Sequence, residues 1–246
     1  MNNKAYKNLC TEYYDITKPY ASGAEIDFYT NRLQGKKILE AMSGSGRLLI
    51  PLLKAGLAVD GVDYSAEMLA SCKQRAEGKG LTPILYDQSL ETLKLPEKYD
   101  AIIIAIGSFQ LIHPRNKALL TLAKLKEHLK PQGKLYIETF IPWEAMYENA
   151  EHEVRESNAK ISSDEIIYLR SENNANKQEQ YYLEKNEYKK IKNDTIITTE
   201  NEEMQVCWYF RYEMQYLLEN SGFSNVIIYN VDFTQNPGGM IYEATC

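Results

Sequence analysis

Short apolar runs that alternate with longer amphipathic stretches constrain the fold of this chain more than any other feature. Within residues 35–133 the apolar runs are residues 37–41, 58–63, 83–86 and 100–106. They are separated by stretches in which apolar residues recur at helical spacing. Runs that are apolar throughout are typical of strands covered on both faces by helices. The sequence therefore predicts an α/β fold with a doubly wound, mostly parallel sheet.

The part of the chain after residue 142 has a different composition. It is rich in Glu, Asn, Lys and Tyr, and its extended stretches are residues 166–170, 179–191, 195–199 and 204–210. The pair Asn193-Asp194 indicates a hairpin turn between two of them. We therefore expect an antiparallel β insertion at residues 142–211, flanked by an α/β domain made of residues 1–141 and 212–246.

Length and composition limit the class of protein. A chain of 246 residues suits one α/β domain with a sizeable insertion. The net charge of −6, without a basic stripe, argues against a nucleic-acid partner. The first residues lack the apolar core of a signal peptide, and every apolar run is shorter than the roughly 20 residues that span a membrane, so we expect a cytoplasmic protein without a membrane partner. The four cysteines lie far apart, and we expect no metal site and no disulfide.

The segment "ILEAMSGSGRLLIPLL" is the most informative junction in the chain. It predicts a strand that ends at an acid, Glu40, followed by a glycine loop and a helix from about Gly46. Gly44 and Gly46 allow the backbone to turn sharply and to approach a ligand. A dinucleotide fingerprint starting at Gly44 requires glycine or alanine where Leu49 stands, and no P-loop lysine is present. Since Glu40 would repel a pyrophosphate and attract an ammonium group, the ligand is predicted to be cationic at this point.

A second acid lies at the end of the next predicted strand. In "VDGVDYSAEML", Asp63 follows Gly44 by about twenty residues, the spacing at which an acid accepts hydrogen bonds from ribose hydroxyls. Ser65 is placed to cap the next helix. The two acids and the glycine loop together call for a ligand with a ribose and a positively charged amino-acid group, and S-adenosylmethionine has both.

These motifs resemble those of the class I S-adenosylmethionine-dependent methyltransferases, in the small-molecule branch whose sequences read like "LExxCGTGR" followed by "GxDxSxxML". The similarity extends to "YDQSLETLKLPEKYDAIIIAIGSFQLI", "HLKPQGKLYIETF" and "RYEMQYLLENSGFSNVIIY". The resemblance implies a Rossmann-like sheet of seven strands with the last antiparallel, and the insertion between strands five and six. It also implies transfer of a methyl group from S-adenosylmethionine to O or N of a small molecule, leaving S-adenosylhomocysteine.

The resemblance also implies which residues bind the cofactor. They are Tyr14, Glu40, Met42, Gly44, Gly46, Asp63, Tyr64, Ser89, Leu90 and Ile106. Met42 stands where the family has its first glycine. Ser89 stands where the family usually has an acid that accepts a hydrogen bond from the adenine amino group, with Asp87 and Gln88 as alternatives. Tyr14 belongs to "EYYDITKPY", which resembles the family's lead-in over the cofactor.

The resemblance implies that the acceptor binds at the loop after strand four and at the insertion. We expect the insertion to form a lid over the acceptor pocket. The predicted acceptor-binding residues are Ser108, Phe109, Gln110, Arg211 and Trp208. Plain packing is an equal alternative for Phe109. The sequence does not identify a general base, and the candidates are His113, Tyr14 and Glu138.

The sequence leaves one alternative function open and disfavours another. Because Met42 and Ser89 depart from the family pattern and no base is evident, a catalytically silent cofactor-binding or regulatory protein is the alternative. A nicotinamide-dependent oxidoreductase is disfavoured by Leu49. The Asn/Asp-Pro-Pro-aromatic motif of enzymes that methylate nucleobase or amide nitrogens is missing after strand four, which favours a small-molecule acceptor. The sequence leaves open whether the protein is a monomer or a homodimer.

Overall fold

A computed structural model describes residues 6–146, 152–233 and 238–246 of the chain. These residues separate into two compact units. The larger unit comprises residues 20–141 and 208–246. The smaller unit comprises residues up to Pro19 together with residues 142–207.

The larger unit is built on one sheet of seven strands in the order β10-β11-β5-β4-β1-β2-β3. The strands are β1 (Lys37–Ala41), β2 (Ala58–Asp63), β3 (Leu85–Asp87), β4 (Tyr99–Ile104), β5 (Leu129–Thr139), β10 (Ser224–Val231) and β11 (Gly239–Thr245). Strands β1 to β5 pair in parallel, whereas β11 runs antiparallel to both β5 and β10. This confirms the predicted seven-stranded sheet with an antiparallel last strand.

Helices cover this sheet, as its apolar strands require. They are α2 (Gly23–Leu33), α3 (Leu49–Lys54), α4 (Ala66–Glu77), α5 (Arg115–Glu127) and α6 (Arg211–Asn220). Ile38, Leu39 and Ile103 on the central strands have no exposed surface, which is the expected result for strands that bury both faces. Helix α3 begins at Leu49, three residues later than the sequence predicted, because a series of turns fills residues 44–48. None of the helices described is both long enough and apolar enough to cross a membrane.

The smaller unit is a four-stranded antiparallel sheet with one helix. Its elements are α1 (Asn8–Thr17), β6 (His152–Lys160), β7 (Glu165–Asn176), β8 (Tyr181–Lys192) and β9 (Thr195–Cys207). The strands pair in sequence order, so the predicted antiparallel insertion after β5 is confirmed. Asn193 and Asp194 both have left-handed backbone angles, as in a tight hairpin between β8 and β9.

Helix α1 packs on this four-stranded sheet. Leu9 and Cys10 lie in a buried cluster with Ala159, Ile167 and Tyr188. The Glu200 carboxylate accepts hydrogen bonds from the backbone N–H groups of Leu9 and Cys10, both at 3.1 Å, and so satisfies the first turn of the helix. The sequence analysis assigned α1, with the rest of residues 1–141, to the α/β domain. The apolar side chains of α1 pack against strands of the insertion, which lie far from α1 in the sequence.

Gly61 on β2 is a position where the fold requires the absence of a side chain. A Cβ there would lie 2.7 Å from Leu49 Cδ1, 2.8 Å from Ser43 Oγ and 2.9 Å from Leu85 Cδ2. The glycine therefore lets α3 and the loop after β1 lie directly against β2.

We expect Gly61→Ala to lower the free energy of unfolding by about 1–3 kcal/mol, because an added methyl overpacks a filled space. Denaturant titration monitored by circular dichroism measures this. Gly23→Ala is the matched control, because nothing lies within 4 Å of a Cβ at the first residue of α2. Equal stability of the two variants would contradict the packing argument.

Candidate active site

The carboxyl ends of β1, β2 and β4 meet at one edge of the sheet, and the backbone there is unusual. Met42 has φ +60°, Gly44 +52° and Gly46 +82° in the loop after β1. After β4, Ile106 has φ +50° and Gly107 +73°. Left-handed angles are uncommon for residues with a Cβ and tend to occur at ligand sites. Met42 thus adopts the backbone conformation that favours glycine, which the family has at this position.

The two glycines of the loop serve different purposes. A Cβ on Gly46 would lie 2.7 Å from Cys72 Sγ and 2.9 Å from Ile50 Cγ1, so Gly46 lets the loop pack onto α3 and α4. A Cβ on Gly44 would meet one atom within 4 Å, Met68 Sδ at 3.9 Å. Gly44 therefore leaves space beside the loop, as the predicted close approach of a ligand requires.

Asp63 ends β2 and holds the glycine loop. One carboxylate oxygen accepts from the backbone N–H of Gly44 at 2.8 Å and the other from that of Ser65 at 2.9 Å. Each oxygen of a carboxylate has a second acceptor site, so the group can still bind two hydroxyls. Burial raises the pKa of Asp63, and the backbone N–H groups counteract that rise. Tyr64, the next residue, exposes 44% of its surface at the same edge.

Glu40 is the second acid at this edge. It is buried, and its Oε2 atom has no hydrogen-bond partner among the described residues. Burial raises the pKa of Glu40 to about 8, although the positive charge of Arg47 opposes that shift. A buried carboxylate oxygen without a partner costs free energy. Glu40 is therefore suited to receive a cationic hydrogen-bond donor.

Glu40 belongs to a larger buried cluster, which we call the acidic floor: Glu25, Tyr29, Glu40, Arg47 and Glu138. Arg47 donates two hydrogen bonds to the Glu25 carboxylate, at 2.8 and 2.6 Å. Glu138 Oε2 on β5 accepts from the backbone N–H of Ile106 at 2.7 Å, and burial raises the pKa of Glu138 to about 7. Tyr29 is fully buried, and its hydroxyl has no partner in the part of the chain that is described.

The sequence analysis missed Glu25, Tyr29 and Arg47. Arg47 directly follows the glycine loop, and Glu25 lies on α2, 22 residues earlier in the chain. A buried arginine requires a partner. The position of Arg47 between a glycine loop and an apolar helix was the signal that could have prompted a search for an acid.

The loop after β4 contains three of the predicted acceptor-binding residues, and two of them are fully buried. Phe109 has no exposed surface, and its ring centroid lies 5.8 Å from that of Tyr209. Gln110 is also fully buried, donating to the Phe140 carbonyl at 3.0 Å and accepting from the Phe140 N–H at 2.8 Å. Ser108, the third predicted acceptor-binding residue of this loop, is partly exposed to solvent.

Asp87, Gln88 and Ser89, the three alternatives predicted for the adenine contact, have different surroundings at the end of β3. The Gln88 amide donates to the Lys94 carbonyl and accepts from the Lys94 N–H. Ser89 caps a short 3-10 helix, residues 90–92, by accepting from the Glu91 N–H at 3.4 Å. Asp87 is exposed. The amide of Gln88 is thus engaged in its own loop, and both Asp87 and Ser89 present accessible oxygens.

His113 lies beside the same region. The charges that act on it are those of Lys117 and Glu91, which form an ion pair at 3.1 Å. Burial and Lys117 lower the pKa of His113, so the neutral imidazole is favoured. Because Glu91 directly follows Ser89 and Leu90 in the chain, His113, a candidate base, lies near the loop predicted to bind adenine.

The remaining predicted residues are Arg211, Trp208 and Tyr14. Arg211 begins α6 and donates to Asn230 Oδ1 at 2.8 Å. Trp208 is 1% exposed, and its Nε1 has no partner among the described residues. Tyr14 is on α1 in the smaller unit. Roles for these three residues in binding acceptor or cofactor stay predictions.

A doubly wound sheet with an antiparallel last strand, a glycine loop after β1 and acids at the ends of β1 and β2 defines the class I methyltransferase fold. Comparison with known proteins agrees. Residues 38–133 match the model of a family described as a methyltransferase domain. A crystal structure of an S-adenosylmethionine-dependent methyltransferase from Clostridium acetobutylicum aligns with a TM-score of 0.69 at 15% identity, covering 96% of this chain and 89% of that one.

Curated relatives are similar over part of their length. A glycine/sarcosine N-methyltransferase of Halorhodospira halochloris is 32% identical over 120 residues, 47% of this chain and 45% of the relative. A ubiquinone biosynthesis O-methyltransferase of Haemophilus ducreyi is 31% identical over 120 residues, 46% of this chain and 49% of the relative. The chain thus matches about half the length of these relatives. The resemblance to S-adenosylmethionine-dependent methyltransferases inferred from the sequence is confirmed.

The raised pKa of Glu40 predicts how the stability of the ligand-free protein depends on pH. A carboxyl group whose pKa is about 8 when folded and 4.5 when unfolded stabilises the protein most below pH 4.5, and this contribution is lost as the pH rises toward 8. We expect Tm to fall between pH 6 and 8 and Glu40→Gln to make that fall shallower. Glu97→Gln, whose native side chain is 60% exposed, is the control and should keep the wild-type slope. Parallel slopes for all three proteins would contradict the assignment.

Proposed function

We propose that this protein transfers a methyl group from S-adenosylmethionine to an oxygen or nitrogen of a small molecule. The observation that carries the proposal is the unpartnered, buried Oε2 of Glu40, located on the strand next to the one that ends at Asp63. A cationic donor would satisfy that atom and a ribose would satisfy Asp63. Few ligands carry both groups on one short scaffold.

Each part of the cofactor has residues suited to it. Glu40 would bind the ammonium group, because a positive charge offsets the cost of burying a carboxylate. Asp63 would accept from the ribose hydroxyls while it still holds the N–H groups of Gly44 and Ser65. Tyr64, Ser89 and Leu90 would border the adenine, with the backbone N–H of Leu90 as a donor.

When bound, S-adenosylmethionine supplies a methyl group already activated on a sulfonium, so the protein's task is alignment. Holding two reactants in attack geometry can lower a barrier by about 7–11 kcal/mol. The fixed turn at Ile106 and Gly107, braced by Glu138 and by the buried Gln110, provides a rigid wall for such alignment. Since His113 lies near the adenine loop and Glu138 is tied to a backbone N–H, positioning is favoured over general base catalysis.

The catalytically silent alternative receives no support from the site. Met42 has a left-handed backbone conformation, which favours glycine, so its side chain does not prevent the turn. The acids proposed to bind the ammonium group and the ribose lie on β1 and at the end of β2, respectively. For the acceptor, we propose a small molecule with an amine or hydroxyl, consistent with relatives named as N- and O-methyltransferases.

The assignment of Asp63 predicts the effect of a single substitution. Asp63→Asn should weaken S-adenosylmethionine binding by about 1.5–3 kcal/mol, the range for hydrogen bonds to a charged group. Isothermal titration calorimetry measures the change. Asp60→Asn is the matched control on the same strand, because Asp60 binds Lys37 and Tyr99 and is not assigned to the ligand. Wild-type affinity in Asp63→Asn would show that the ribose assignment is wrong.

Catalysis itself is tested by incubating the protein with S-adenosylmethionine and a panel of small amines and alcohols. We expect S-adenosylhomocysteine to form only in the presence of an acceptor, as quantified by mass spectrometry. Calorimetry with NADH should show no binding. Tight cofactor binding with no turnover across a broad metabolite pool would favour the silent alternative.

A further inference from the structure

Strand β10 lies at one end of the seven-stranded sheet, where its outer side has no neighbouring strand among the described residues. Within the same part of the chain, its backbone pairs with β11 alone. A β-bulge with a left-handed Asn225 disturbs the first residues of β10, and residues 227–231 then form a regular strand. The outward N–H and C=O groups of such an edge can pair with another strand.

Edge strands are commonly protected from such pairing by charged residues. The other three edges of the two described sheets carry them: β3 ends at Asp87, and β6 and β9 each contain at least two glutamates. The sequence of β10, SNVIIYNV, has no charged residue. Ile227 on this strand is 46% exposed. The edge formed by β10 therefore keeps its ability to pair.

Helix α6 places a row of polar side chains beside this edge. The helix packs against β10 and β11, and Arg211 at its start donates to Asn230 Oδ1 of β10 at 2.8 Å. Gln215 and Glu219 follow Arg211 at intervals of four residues, so the three side chains lie in one row along the helix. Within that row the Gln215 amide donates to Glu219 Oε1 at 2.8 Å. The row thus runs from a cation through an amide to an acid.

We infer that β10 is a self-association surface, through which two copies of this chain pair their β10 strands antiparallel about a two-fold axis. Such an interface must be complementary to itself, because the same patch is used on both copies. A charged residue on the axis would meet its own copy, and β10 has none. With the axis at Tyr229, the centre of the regular strand, Tyr229 lies opposite Tyr229 and Ile227 lies opposite Val231 of the second copy.

The same axis makes the two α6 helices antiparallel. Arg211 of one copy then faces Glu219 of the other, and Gln215 faces Gln215, so opposite charges meet at both ends of the row. Helices that pack side by side are about 8–10 Å apart, a distance that long side chains can span. The net charge of −6 makes two copies repel each other at long range, so an interface requires local complementarity of this kind.

The first test is sedimentation equilibrium of the full chain over a range of protein concentrations. We expect the wild type to approach twice the 28.3 kDa of one chain at high concentration. Hydrogen exchange followed by mass spectrometry, at concentrations above and below the dimer Kd, should show the amides of residues 227–231 protected in the dimer. A wild type that stays monomeric at about 100 μM, or a dimer without this protection, would overturn the inference.

Charge reversal tests the opposed rows of α6. Arg211→Glu puts acid against acid and Glu219→Arg puts base against base, so each should raise the dimer Kd about tenfold or more. The double variant restores opposite charges, and its Kd should return to within about threefold of the wild type. Both reversals suit the helix dipole, which favours an acid at the start and a base at the end. A double variant that associates no better than the single variants would overturn the inference.

Ile227→Lys tests the strand itself. A lysine on an edge strand hinders pairing, and we expect it to raise the dimer Kd about tenfold or more. Ile84→Lys is the matched control, because Ile84 is 51% exposed and directly precedes β3, the opposite edge of the same sheet. It should leave the dimer Kd unchanged. Equal dissociation by the two lysine variants, or none by Ile227→Lys, would show that β10 is not the interface.

Discussion

The buried ion pair between Arg47 and Glu25 is the interaction on which the position of the glycine loop depends. Its two hydrogen bonds, at 2.8 and 2.6 Å, join helix α2 to the loop that follows β1. The Ala21 N–H also holds this loop, because it donates a hydrogen bond to the Arg47 carbonyl at 2.9 Å. Breaking one partner of such a pair leaves an isolated buried charge, which typically costs about 3–5 kcal/mol. The loop is therefore a fixed part of the fold before any ligand arrives.

That rigidity allows strained backbone at the ends of two neighbouring strands. Met42 and Ile106 both have left-handed angles, and a β-branched residue such as Ile106 pays about 1–3 kcal/mol for that conformation. The structure compensates locally. The Ser43 N–H donates to the Val62 carbonyl at 3.1 Å, and the Ile106 N–H donates to Glu138 at 2.7 Å. Both strained residues are thus flanked by hydrogen bonds to neighbouring strands of the sheet.

The features that the sequence predicted are those with a local signal. The apolar strands, the glycine loop and the hairpin at Asn193 follow from patterns a few residues long, and Asp63 follows from a fixed spacing. The features that it missed depend on distant contacts. Glu25 meets Arg47 across 22 residues, and burial of Gln110 depends on the backbone of Phe140, 30 residues away. Such partners are chosen by the folded chain, and one sequence does not reveal them.

The distribution of polar groups suggests where recognition is concentrated. In the loop predicted to meet the adenine, Gln88 is engaged with Lys94, Ser89 caps a short helix, and both Asp87 and Ser89 are exposed. At the other end, three buried acids surround one arginine. Interactions with charge are stronger where water is excluded. For the proposed ligand, S-adenosylmethionine, the strongest interaction is therefore expected at its ammonium group, and the acidic floor would disfavour adenine nucleotides that carry phosphates.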